Sequence, residues 1–160
     1  MILPGRHFAA LEGEFAVFLI GMRVNRPWAV HKWWPVASAM PRMLRELKSK
    51  PQLGMLGGQM WGGRTTIMVQ YWRSAEQLFA FATDRDSTHV PAWRAFNRAI
   101  GDGAEVGVWH ETYVVGPGGY ENVYVNMPPF GLGRAGRLTP VGGGTQTARE
   151  RLRKSSTQAA

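Results

Sequence analysis

Two strand-like segments, residues 53–61 and 64–72, meet at Gly62-Gly63 in the middle of the chain. A two-residue Gly-Gly loop is a strong hairpin signal, because glycine accepts the positive φ that tight turns need. The second arm, RTTIMVQYW, is rich in β-branched and aromatic residues that suit a pleated surface. The rest of the fold has to be built around this hairpin.

Residues 14–24, EFAVFLIGMRV, form a near-continuous apolar run that predicts a strand buried on both faces. Residues 28–50 predict a helix interrupted by Pro35 and Pro41, which lack the backbone donor a helix interior uses. Its regular part is expected from Met40 to Lys50, with Met43, Leu44 and Leu47 as one apolar stripe. Pro51 ends it. Ser74 predicts the cap of a short helix to about Ala82, with Gln77 as capping-box partner. A further helix is expected from about Thr88 to Ile100, ended by Gly101. Residues 105–115 predict another strand, and Tyr120 to Val125 an edge strand. The order strand, helix, hairpin, helix, strand is the ferredoxin-like βαββαβ arrangement of the α+β class. Its antiparallel sheet carries helices on one face. The strands are apolar enough that the other face also needs a cover, and a second copy of the chain is the expected one.

Composition sets the limits. The 160 residues divide into an expected domain, 1–130, and an expected mobile basic tail, 131–160. The tail carries six basic and one acidic side chain, so most of the +8 net charge sits there. Its glycine, serine and threonine offer little surface to offset ordering entropy. Weak polyanion contact is all this charge implies; no specific nucleic-acid site is expected. Removal of residues 139–160 is expected to leave the fold intact. The chain has no cysteine, which excludes disulfides, thiolate-bound metals and cysteine nucleophiles. No apolar run reaches the roughly 20 residues of a membrane span. MILPGRHFAA lacks signal-peptide order, so a cytoplasmic protein is expected. A P-loop, a GxSxG elbow, an HEXXH motif and a paired-carboxylate motif are all absent.

The histidines carry the chemical information. His7 is expected in a frayed terminus, and His31 to pack beside Trp33 and Trp34. From His89, Trp93, Phe96 and Ile100 follow at helical spacing on one apolar face. His89 either needs a hydrogen-bond or metal partner there, or points outward and helps cap the helix. On the strand at 105–115, alternation groups Val106, Val108, His110, Thr112 and Val114, with Glu111 opposite. His110 is then the most polar group on a mostly small, aliphatic face, and is either a core histidine bonded to a backbone carbonyl or a functional residue.

The segments MWGGRTTIMVQYWRSAEQLFAFA, HVPAWRAFN, GVWHETY and YVNMPPFGL resemble the small monooxygenase-like family named after the fumagillin-pathway monooxygenase. That family belongs to the dimeric α+β barrel superfamily. The resemblance implies a homodimer and an oxidoreductase acting on a small hydrophobic metabolite in an apolar pocket. His89, Phe96 and His110 are also similar in order and spacing to residues of haem-containing aldoxime dehydratases. That likeness implies haem b bound through His89, with Trp93 and Phe96 against it and His110 as the catalytic distal group. Arg64, Arg94 and Thr112 stand as substitutes for the distal serine and arginine of those longer, two-repeat enzymes. Trp61, Trp72, Phe79, Phe81, Met60 and Met68 are available as further wall. The alternatives are a haem lyase, cofactor-free oxygenation, and a non-catalytic carrier of haem or another apolar ligand.

Overall fold

The computed structural model describes residues 1–84 and 103–156. The expected helix at 88–100 lies outside the described residues, and with it His89, Trp93, Phe96 and Arg94.

The sheet that organises the chain holds β2 (Phe15–Val24), β3 (Met55–Trp61), β4 (Ile67–Trp72) and β5 (Val106–Val115). Their order is β3-β4-β2-β5, with every neighbouring pair antiparallel. With α1 (Val30–Ser49) between β2 and β3, and α2 (Ala75–Thr83) between β4 and β5, this is the ferredoxin-like βαββαβ fold. Alternation along β2 sorts its side chains. Ala16 and Phe18 pack with Trp72, Leu47 of α1, and Leu78 and Phe81 of α2. Phe15 and Val17 pack on the opposite side. β2 is thus buried on both faces, as its unbroken apolar run requires. Trp72 is the pivot of the helix-side core, 0% exposed and 5.7 Å from the Phe81 ring.

The segment after residue 130 departs from expectation. It is built into a second sheet, β6-β1-β7, formed by β1 (Leu3–Ala10), β6 (Tyr124–Met127) and β7 (Arg137–Pro140). β1 pairs antiparallel with both neighbours, so His7 stands in a paired strand opposite Tyr124 and Pro140 rather than in a frayed end. Tyr120 to Val125 contributes to this sheet and not to the main one. A short helix α3 (Leu132–Ala135) and the terminal helix α4 (Ala148–Ser156) complete the layer. Ala9, Phe15 and Leu132 form its core, with Tyr71, Tyr120, Tyr124 and Leu138 packed around them. The expected mobile tail is therefore corrected for residues 131–156: apolar content was a poor guide because polar groups carry the docking. Arg151 is only 6% exposed, and its guanidinium donates to Glu121 and to the Thr145 and Gln146 carbonyls.

Three local expectations change in detail. The Gly62-Gly63 turn is a wider loop, because Thr65 leaves the hairpin to bridge Arg23 on β2. α1 runs unbroken through Pro35 and Pro41. Both prolines lie off the packed side marked by Leu47, so the lost backbone bonds fall away from the core. Ser74 caps α2 by accepting from the Gln77 N–H at 3.2 Å, but Gln77 does not reciprocate. Its Oε1 is buried against Gly54, whose φ of +96° and tight contact leave no room for a Cβ.

Candidate functional site

The residue pairing of β2 and β5 puts Ile20 beside His110, Phe18 beside Thr112 and Met22 beside Val108. The pairing of β2 and β4 adds Met68 beside Ile20 and Gln70 beside Phe18. All of these share the helix-side face. His110 is exposed on it, with the Phe18 ring centroid 5.8 Å from its own at a tilt of 45°. Among the described residues its imidazole makes no hydrogen bond. Exposed, and without a backbone carbonyl as partner among the described residues, it does not match the core-histidine reading.

The polar groups nearby are otherwise engaged. The Trp72 indole donates to Gln70 Oε1 at 2.8 Å, and the Gln70 amide donates to Met68 Sδ at 3.4 Å. That chain lies in the core and satisfies buried groups that would be costly unpaired. Glu111 faces the other side, where it accepts from the Tyr113 hydroxyl at 2.7 Å. That bond holds the Tyr113 phenol above its ordinary range. Among the described residues, what remains around His110 is apolar, except for the hydroxyl of Thr112 two residues on.

The expected pocket wall divides. Met68 and Met60 share the His110 face through their pairing. Trp61 lies on the opposite face, edge-on to Phe130 at 5.9 Å. Trp72 and Phe81 are core, and Phe79 is exposed on α2. Arg64 is not near the imidazole's strand pair: its guanidinium donates to the Val24 and Asn25 carbonyls at the far end of β2. Of the two substitutes among the described residues, Arg64 and Thr112, it is Thr112 that is placed beside His110. Sequence reasoning missed a separate cleft of about 500 Å³ on the side of Phe15, lined by Leu11, Glu12, Leu56, Arg73 and Arg137. It depends on the junction of the two sheets, and no local pattern announces it. Among the described residues no group of three or more His, Asp or Glu is placed to hold a metal ion by itself.

Burial raises the Tyr71 and Tyr124 phenols above their ordinary range. Both hydroxyls meet the backbone of α3, with Tyr124 accepting from the Gly133 N–H at 3.0 Å. Tyr71, on β4, thereby ties the second layer to the main sheet, while the Tyr124 bond holds α3 to β6 within that layer.

The class defined here is a ferredoxin-like α+β domain with an exposed imidazole on the helix side of its sheet. Residues 15–132 match the family described as Monooxygenase af470-like, and the chain belongs to that family. It is 30% identical over 132 residues to Monooxygenase af470 of Aspergillus fumigatus, over 77% of this chain and 46% of that protein. A solved aldoxime dehydratase superposes with a TM-score of 0.67 at 17% identity, over 84% of this chain and 43% of that one. At that identity the likeness is one of fold. The chain spans less than half the length of each of these relatives. Among the described residues no helix is long and apolar enough to cross a membrane.

Proposed function

We propose that this chain is a monooxygenase-type oxidoreductase acting on a small hydrophobic metabolite, with haem held through His89 and His110 as the acid–base group. The observation that carries the reading is the His110 imidazole: exposed, without a hydrogen bond among the described residues, and flanked by Phe18 and Ile20. An imidazole among apolar side chains can take or give a proton where little else on that face can. The surroundings fit a flat apolar group, since Phe18, Ile20 and Met68 offer hydrocarbon and the fixed polar groups are already satisfied. His89 would supply the iron ligand, with Trp93 and Phe96 four and seven residues further along the sequence. When bound, haem would supply the redox chemistry, tuned by the residue that holds it and by the polarity of the pocket. His110 would move a proton at the substrate, Thr112 would orient it, and Phe18 would exclude water. A homodimer is part of the proposal, with a second copy covering the sheet face that carries Leu19, Val69 and Trp109.

The test is absorption and turnover of protein produced with added haem, assayed on hydrophobic substrates with oxygen and a reductant. His89→Ala is expected to lose the Soret band. His110→Ala is expected to keep it and to slow turnover by about 10²–10⁴-fold. A wild-type spectrum in His89→Ala removes the assignment of His89 as the residue that would hold haem. Protein that never takes up haem but oxidises substrate points to cofactor-free oxygenation instead.

A further inference from the structure

Between Glu14 and Glu76 the chain has one acidic residue, Glu46, against nine lysines and arginines. α1 presents part of this excess on one side. Val30, His31, Trp34, Arg42, Arg45 and Lys48 are all exposed. At 3.6 residues per turn they fall within an arc of about 120°, opposite buried Leu47. Two tryptophans stand at the start of this stripe. Trp28 is 78% exposed and Trp34 is 60% exposed, with Val30 at 49% between them. They are held there by neighbours: the Trp33 indole donates to the Pro27 carbonyl at 3.0 Å, and its ring meets Trp34 edge-on at 6.0 Å. Among the described residues Arg42 and Lys48 have no ion pair or side-chain hydrogen bond, and Arg45 has only a 3.4 Å contact to the Pro41 carbonyl.

We propose that this outer stripe of α1, together with Trp28, docks on an anionic lipid surface. Exposed indoles are costly in water, and the headgroup boundary is where they are best accommodated. Cations along the same stripe match the negative potential of such a surface, each strengthening attachment about fivefold. Apolar anchors and cations share one side of a helix that its other side fixes to the core, so the stripe can lie in the interface plane. The inference rests on exposure and charge in α1 and is independent of the haem reading.

The experiment is flotation of the full chain with phosphatidylcholine vesicles, with and without about 30 mol% phosphatidylserine. Binding is expected only with the anionic lipid, to fall about 100-fold in Arg42→Gln/Arg45→Gln/Lys48→Gln, and about tenfold or more in Trp28→Ala/Trp34→Ala. Sedimentation of the same variants gives their assembly state. Absence of binding to the anionic vesicles overturns the proposal. So does binding that survives the α1 variants but is lost in Arg149→Gln/Arg153→Gln/Lys154→Gln, which would place attachment on α4. A tryptophan variant that turns a dimer into a monomer with unchanged vesicle binding makes the stripe an interface between copies. If the tryptophan variant does not fold, the glutamine variants, all at exposed positions, decide the matter alone.

Discussion

The Arg151 guanidinium lies 2.6 Å from the Glu121 carboxylate, Nε to Oε1, and joins the last helix to a loop thirty residues upstream. The same side chain donates to the Thr145 and Gln146 carbonyls at 3.1 and 3.0 Å. Ser155, one turn further along α4, donates to the Tyr120 carbonyl at 3.1 Å. The C-terminal segment is therefore latched by polar groups onto a sheet that begins with the N-terminal strand.

Arg151→Met should destabilise the protein by about 2–4 kcal/mol, because it leaves Glu121 and two carbonyls without their donor. Thermal unfolding should fall by roughly 5–10 °C. Removal of residues 139–160 should do at least as much, since it deletes α4 and half of β7. A truncated chain that melts with the full one would show that the second layer contributes nothing to stability.

Gly21→Ala should be among the most damaging single changes in the main sheet. A Cβ at Gly21 would lie 2.0 Å from the Thr66 carbonyl oxygen and 2.6 Å from Trp109 Nε1. The first contact is backbone and cannot rotate away. Overpacking of this kind costs about 1–3 kcal/mol, occasionally more. Denaturant unfolding of Gly21→Ala against Ala29→Gly, a change at a helix cap, separates the close approach from a general loss of stability.

How far the sequence discloses this fold can be followed residue by residue. β2 is legible because an apolar run flanked by polar residues fits few other structures, and the face of His110 is legible because alternation is local. The freedom of its imidazole is not, since that depends on what β2 and β4 place beside it. Trp61 and Trp72 read alike in sequence, yet strand register puts one against Phe130 and the other under α2. The terminal layer is hidden for a different reason. Its helix buries Arg151 and Ser155 rather than leucines, so counting apolar residues overlooks it. One signal was nonetheless present: Thr147 and Glu150 have the spacing of a capping box, and they form it in both directions at 2.8 and 3.2 Å.

That box gives α4 a pH dependence. The Thr147 N–H bond is the largest influence holding the Glu150 carboxyl below its ordinary range. A depressed folded value contributes stability that is present above the unfolded carboxylate pKa, about 4.3, and is lost as pH falls through the folded one. The α4 amides should therefore exchange faster with solvent as pH drops below about 4, after correction for intrinsic rates. Glu150→Gln should flatten this dependence while leaving the main-sheet amides unchanged. If the α4 amides keep the same corrected protection through the carboxylate range, the box does not hold the helix.

Replacing His110 separates a functional residue from a structural one without knowledge of the substrate. An exposed side chain with no hydrogen bond among the described residues has little to lose on truncation, and such surface changes usually stay within about 0.5 kcal/mol. His110→Ala should thus melt within about 2 °C of the parent. The control is Gln70→Met on the same face. It leaves the buried Trp72 indole without its 2.8 Å acceptor, at a cost of about 1–3 kcal/mol. Haem or an apolar ligand added to both variants should then reverse the contrast, with Gln70→Met behaving as the parent once folded and His110→Ala changed in turnover. A His110→Ala protein as destabilised as Gln70→Met would place the imidazole in the core and withdraw it from the chemistry.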